Sequence, residues 1–182
     1  MKKLKLFPVL LFIIAAQVLY AKPIRLKADT SQSFITYKLT HPLHEVESTS
    51  KKAICYIDAD TASKEIKDVA VQVYVNTFDS GNSNRDSHAM EVIDALKYPY
   101  ARFISSSVQH KGDSLLVTGS LFFHGVTKEI TVRTLAKWSN NKLEVDGAFD
   151  ISLTAFQIKR PSLLLIPVND TLKFKLVQVF YL

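Results

Sequence analysis

Apolar and polar side chains alternate along most of the chain. Val69, Val71, Val73 and Val75 fall on one side of a period-two repeat, with Ala70, Gln72 and Tyr74 on the other. Successive side chains of an extended strand point to opposite faces, so this repeat predicts a strand with one apolar face. The same pattern recurs in Leu115, Val117, Gly119, Leu121 and Phe123, and again in Ile130, Val132, Thr134, Ala136 and Trp138. Leu143, Val145, Gly147, Phe149 and Ile151 oppose Glu144, Asp146, Ala148, Asp150 and Ser152. A last strand sets Leu172, Phe174 and Leu176 against Thr171, Lys173 and Lys175. Residues 33–39, 54–60 and 101–108 are shorter candidates. Several runs exceed the usual strand of about 5–6 residues.

Turn signals separate the runs: Lys111-Gly-Asp113, His124-Gly125 and Ser139-Asn-Asn141. Long, one-sided strands joined by hairpins suit an antiparallel up-and-down β-barrel, in which closure leaves no free edge. A two-sheet sandwich competes with it, and periodicity alone does not choose. One short helix is expected after residue 85, capped by Asp86 or Ser87. Its apolar stripe would be Ala89, Val92, Ile93 and Leu96, and Tyr98-Pro99 would end it. The stretch 159–170 holds four consecutive large apolar residues, Leu163 to Ile166, between prolines. It is too short for another strand pair and too apolar for a bare loop, so it should cover a barrel mouth or meet a partner.

Composition changes the picture at the N-terminus. Lys2, Lys3 and Lys5 precede an apolar run from Leu6 to Leu19, and Leu19-Tyr-Ala21 offers a small residue at a cut. Residues 1–21 therefore read as a cleaved signal peptide and residues 22–182 as one domain, periplasmic or secreted, with no stable membrane anchor. The alternative is an uncleaved anchor, although the run falls short of the roughly 20 residues a span needs. Three lysines leave with the leader, so the net charge drops from +6 to +3. No run of five like charges remains, so nothing suggests a nucleic-acid footprint, and no nucleic-acid partner is expected. Cys55 is the sole cysteine, so no intramolecular disulfide forms and the core must stabilise the fold.

Candidate chemistry is sparse. His41 and His44 stand three apart, and with His88 they are the material for a metal-binding or hydrolytic enzyme. No HExxH pattern or Gly-x-Ser-x-Gly elbow is present. The abundant material is apolar. If the apolar faces turn inward, the lumen is lined by Val71, Val73, Phe103, Val117, Leu121, Phe123, Val132, Val145, Phe149 and Phe174, with Gly119 and Gly147 on the same faces. A glycine inside a strand weakens it, so these two either leave room for a ligand or relieve a bend. Barrels of about eight strands either fill themselves or hold one small ligand. Arg85, Asp86 and His88 form the most concentrated polar group, suited to a ligand headgroup or to tying a loop at the rim.

Two segments carry a resemblance: Thr77-Phe-Asp-Ser-Gly-Asn-Ser-Asn-Arg-Asp-Ser-His88 and Leu115-Leu-Val-Thr-Gly-Ser-Leu-Phe-Phe-His-Gly-Val-Thr-Lys128. With Ser33-Phe-Ile-Thr-Tyr-Lys-Leu-Thr-His-Pro-Leu-His44 and Lys97-Tyr-Pro-Tyr-Ala-Arg-Phe103 in the same order, the chain resembles the YceI-like family across nearly all of residues 22–182. The resemblance implies a mainly β, lipocalin-like antiparallel barrel outside the cytoplasm. Its lumen would bind a long-chain isoprenoid lipid or similar amphiphile, with no other cofactor and no chemical turnover. Two departures stand out: Ala89 follows His88, where the family often has leucine, and Glu47-Ser-Thr-Ser50 replaces a frequent glycine, which bears on the bend there. A filled barrel acting as a stress-associated interaction protein, and a homodimer, both remain open.

Overall fold

A three-residue link shows how the sheet must curve. A computed structural model describes residues 22–182; the expected leader and its cut after Ala21 lie outside the described residues. The strands are β1 (Ile24–Lys27), β2 (Phe34–His41), β3 (His44–Ser50), β4 (Ile54–Asp60), β5 (Glu65–Tyr74), β6 (Tyr100–Lys111), β7 (Ser114–Phe123), β8 (Val126–Trp138), β9 (Lys142–Ser152), β10 (Ser162–Leu163), β11 (Ile166–Pro167) and β12 (Thr171–Tyr181). The helix α1 spans Ser83–Val92. Ten strands form one antiparallel sheet in the order β1-β4-β5-β6-β7-β8-β9-β12-β2-β3. Residues 51–53 alone join β3, at one edge, to β4, beside the other edge. Four Cα steps reach about 14 Å at most, so the sheet must curl until its ends nearly meet.

The mainly β, lipocalin-like architecture agrees with expectation, but the hydrogen-bond ladder does not close. The segment after β5 fills the seam. Thr49 and Asp79 exchange backbone hydrogen bonds of 3.0 Å in both directions, and the Ser50 and Thr77 hydroxyls lie 2.7 Å apart. Across the far end, the Ala28 N–H donates to the Cys55 carbonyl and the Asp29 N–H to the Val179 carbonyl. Glu47 to Ser50, expected to bear on a bend, lie inside β3 paired with β2.

The alternation placed the long strands well. In β7, Leu115, Val117, Gly119, Leu121 and Phe123 face inward and are buried, and the intervening side chains are not. His124 and Gly125 both have positive φ, +48° and +75°, as a two-residue type I′ hairpin requires. β1 and β3 escaped notice because both are edge strands with mostly polar or exposed positions.

The helix begins earlier than expected. Asn82 caps it by accepting the Arg85 N–H at 3.0 Å, whereas Asp86 sits in the first turn and accepts the Ser80 N–H. It also ends earlier: Asp94 has φ +49°, a left-handed conformation that stops the helix well before Pro99. Leu96 is consequently fully exposed, whereas Val92 and Ile93 pack toward the core as the stripe predicted and Met90 joins them. The stretch 159–170, judged too short for a strand pair, does make one: Ser162 pairs with Pro167 and Leu163 with Ile166.

Candidate ligand-binding cavity

The barrel interior is hollow at one end and packed at the other. A cavity of about 410 Å³ opens at the end formed by the β2–β3 turn, α1 and the 159–170 strap. That volume lies within the range of small-molecule sites, roughly 300–1,000 Å³. Val71, Val73, Phe103, Leu121, Phe123, Val132, Phe149 and Phe174 line it, as the alternation suggested. Each projects from the inner face of a strand, and the Phe149 and Phe174 rings stack with centroids 4.8 Å apart.

Four expected lining positions do not border this cavity. Val117 and Val145 belong to the packed end, around a residual hollow of only about 60 Å³. Gly119 and Gly147 make room for the protein itself. A Cβ on Gly119 would fall 2.3 Å from the Ile104 carbonyl oxygen and 2.8 Å from Phe103 Cζ, opposite a bulge at residues 105–107 of β6. A Cβ on Gly147 would fall 2.9 Å from Thr134 Cγ2 and 3.1 Å from Leu176 Cδ1. Neither glycine supplies ligand space: the first serves the bend, the second serves packing. Val71, Phe103, Val132 and Leu176 border both hollows and so form the partition between them.

Other lining residues were missed by sequence. Ile35, Tyr37, Leu39 and Val46 come from β2 and β3, Phe78 from the seam, Met90 and Ile93 from α1, and Leu163 and Val168 from the strap. The parity of β2 was the available signal: Ile35, Tyr37 and Leu39 alternate. Burial pushes the Tyr37 phenol above its ordinary pKa, and its ring lies 5.3 Å from that of Phe78. The helical stripe that includes Ile93 and the apolar run 163–166 signalled covering segments without assigning them to this cavity, whereas the seam carried no signal, because an irregular segment does not declare which side faces inward.

The polar groups gather at the mouth. The Arg85 Nε donates to Ser80 Oγ at 2.9 Å and its Nη2 to the Ser80 carbonyl at 2.8 Å. Arg85 and Asp86 thus both hold Ser80, and the rest of the guanidinium meets no other acceptor among the described residues. His88 faces the mouth, 3.6 Å from Glu91; Asp86 does not line the cavity. His41 is buried and fully engaged. The Leu43 N–H donates to its Nδ1 at 3.1 Å, so that nitrogen carries no proton, and Nε2–H donates to the Ile166 carbonyl at 3.0 Å. His41 thereby fastens the strap to the β2–β3 turn and offers no lone pair to a metal. Its ring lies 5.0 Å from that of His44, an exposed residue bordering the cavity. Among the described residues no three His, Cys, Asp or Glu side chains converge as metal ligands do. The arrangement is an apolar pocket with a polar rim.

A YceI-like domain matches residues 26–180. The chain belongs to the YceI-like family. UPF0312 proteins of Pseudomonas putida and Pseudomonas fluorescens are 27% and 28% identical to it, over 75% and 81% of this chain and 77% and 81% of theirs. The fold is also that of BcnA from Burkholderia cenocepacia, with a TM-score of 0.76, 23% identity, and coverage of 84% of this chain and 98% of that one. A polyisoprenoid binding domain from Saccharophagus degradans, implicated in plant cell wall breakdown, superposes with a TM-score of 0.65 at 13% identity, covering 88% of this chain and 99% of its own.

Proposed function

We propose that this YceI-like chain binds a long-chain isoprenoid lipid or a similar amphiphile in the open end of its barrel and carries or sequesters it without chemical turnover. The observation that carries this is the apolar cavity of about 410 Å³, open at one end beneath a rim of Arg85, His88 and His44. The polyisoprenoid binding domain that shares the fold supports the ligand class. The apolar body would lie against Phe123, Phe149 and Phe174, and a polar or phosphorylated end would meet Arg85. Burying ten methylene-sized groups yields roughly 8 kcal/mol, about micromolar affinity before ordering costs are subtracted. A long polyprenyl chain exceeds the cavity, so its remainder would leave through the mouth.

Protein purified from more than one host should release an isoprenoid amphiphile on organic extraction, in about equimolar amount, and native mass spectrometry should show the same adduct. Protein without lipid from every host, failing to take up added farnesol, would end the proposal. The same spectra report subunit count and any bound metal; stoichiometric zinc would revive a His44 and His88 enzyme. Export belongs to the proposal as well, and N-terminal sequencing of the mature protein should begin at Lys22.

A further inference from the structure

Two exposed apolar turns stand side by side at the cavity mouth. The β10–β11 ladder pairs Leu163 with Ile166, which leaves Leu164 and Leu165 as a two-residue loop. Both have positive φ, +51° and +66°. That combination defines a type I′ turn, which Asn-Gly adopts with little strain and bulky side chains avoid. The two side chains are 76% and 96% exposed, so no packing inside the fold accounts for them. Leu43, 61% exposed, occupies the adjacent β2–β3 turn, which His41 ties to Ile166. Lys159 leads into the strap and is exposed, Arg160 beside it is half-buried with its Nε donating to the Val168 carbonyl at 2.7 Å, and Arg85 borders the mouth from α1. Strained backbone that persists without an internal reason points to a role outside the fold.

We propose that Leu164, Leu165 and Leu43 form a docking surface for a lipid bilayer. The leucines would enter the interfacial region while Lys159 and Arg85 meet anionic headgroups, bringing the cavity mouth against the reservoir of its ligand. This rests on the lipid carriage proposed above. A bilayer fits better than a second copy of the chain. A stable protein interface needs a continuous face of about 800 Å² per partner, whereas these are narrow, separate protrusions. A bilayer accepts protrusions at any spacing, and the cations complement its anionic lipids.

Co-sedimentation of the purified protein with vesicles of equal parts phosphatidylcholine and phosphatidylglycerol tests this. The wild type should sediment, less so as salt rises, because exposed charge attraction is screened. The double variant Leu164→Asn, Leu165→Gly suits the turn better, so it should fold with an unchanged or higher Tm. It should bind a farnesyl-linked fluorophore in the cavity as before and lose vesicle binding by roughly tenfold. Leu43→Ser should lose about threefold. Equal sedimentation of wild type and double variant, or none by the wild type, would overturn the docking surface. A dimer dissociated by the double variant would assign the patch to a second copy instead. Vesicle binding retained by a protein that never takes up the fluorophore would strike at lipid carriage and leave docking standing.

Discussion

The two ends of the barrel are built from the same strands and the same residue types, yet one end is hollow and the other packed. Toward the packed end, Cys55, Ile57, Ile66, Leu115, Leu143, Val145 and Phe180 converge and leave about 60 Å³. Toward the mouth, Val73, Leu121, Phe123, Phe149 and Phe174 enclose about 410 Å³. The wall differs, not the chemistry of the lining. At the packed end β4 closes the circuit between β5 and the returning N-terminal segment, so inward side chains arrive from every direction. At the mouth the seam between β3 and β5 is spanned by residues 75–79 and α1. A helix presents one stripe rather than every second residue, and the strap crosses only part of the opening. The hollow lies where the ladder gives way to these covering segments.

Removing the partition should have the largest effect. Phe103→Ala joins the two hollows and strips a buried ring, which should cost about 3–4 kcal/mol in urea unfolding. If the variant still folds, it should accept a longer prenyl chain than the wild type, read by competition among farnesyl, geranylgeranyl and longer alcohols. Unchanged chain-length preference would mean the partition does not set the depth of binding.

A matched pair sharpens the contrast. Val145→Phe forces extra volume into the packed end and should destabilise by about 1–3 kcal/mol. Val73→Phe grows into the hollow, so it should cost less than about 1 kcal/mol while weakening farnesol binding by roughly tenfold. Equal stability losses at the two sites would show that the mouth is not hollow in solution.

The smallest effect concerns Cys55, which lines the packed hollow. Burial pushes its thiol from 9.0 up to about 12. A thiolate, not a thiol, reacts with alkylating agents. Iodoacetamide at pH 8 should therefore leave the native protein unmodified and label it once unfolded. The sign for stability follows. The folded state resists ionisation and the unfolded state does not. This contribution is whole below pH 9.0 and erodes between 9.0 and about 12. Labelling of the native thiol at the unfolded rate would show the packed end opening to solvent.

Much of the wall was legible before the structure. Period-two alternation in 115–123, 130–138 and 143–151 assigned inward faces correctly, because a buried face admits little but apolar side chains. The glycines on those faces were legible as exceptions but not as causes. Only the approach of Ile104 and Phe103 to Gly119, and of Thr134 and Leu176 to Gly147, shows what their missing side chains accommodate. The helix start was misplaced because Asp86 is as good a cap by type as Asn82, and the choice depends on where the preceding loop is held. There Asp86 and Arg85 are both committed to Ser80.

Alternation and turn residues were enough for a one-sided antiparallel β domain, since they act over a few neighbouring positions; the YceI-like resemblance came separately, from the ordered motifs at 33–44, 77–88, 97–103 and 115–128. The sequence by itself did not determine that the sheet stays open, that α1 and the strap complete the mouth, or that His41 locks that strap in place. Those outcomes depend on contacts such as His41 with Ile166 and Thr49 with Asp79, which join residues far apart in sequence. Volume decided the rest. Whether inward side chains fill a barrel or leave a hollow depends on how far apart its walls stand, and only the folded chain sets that distance.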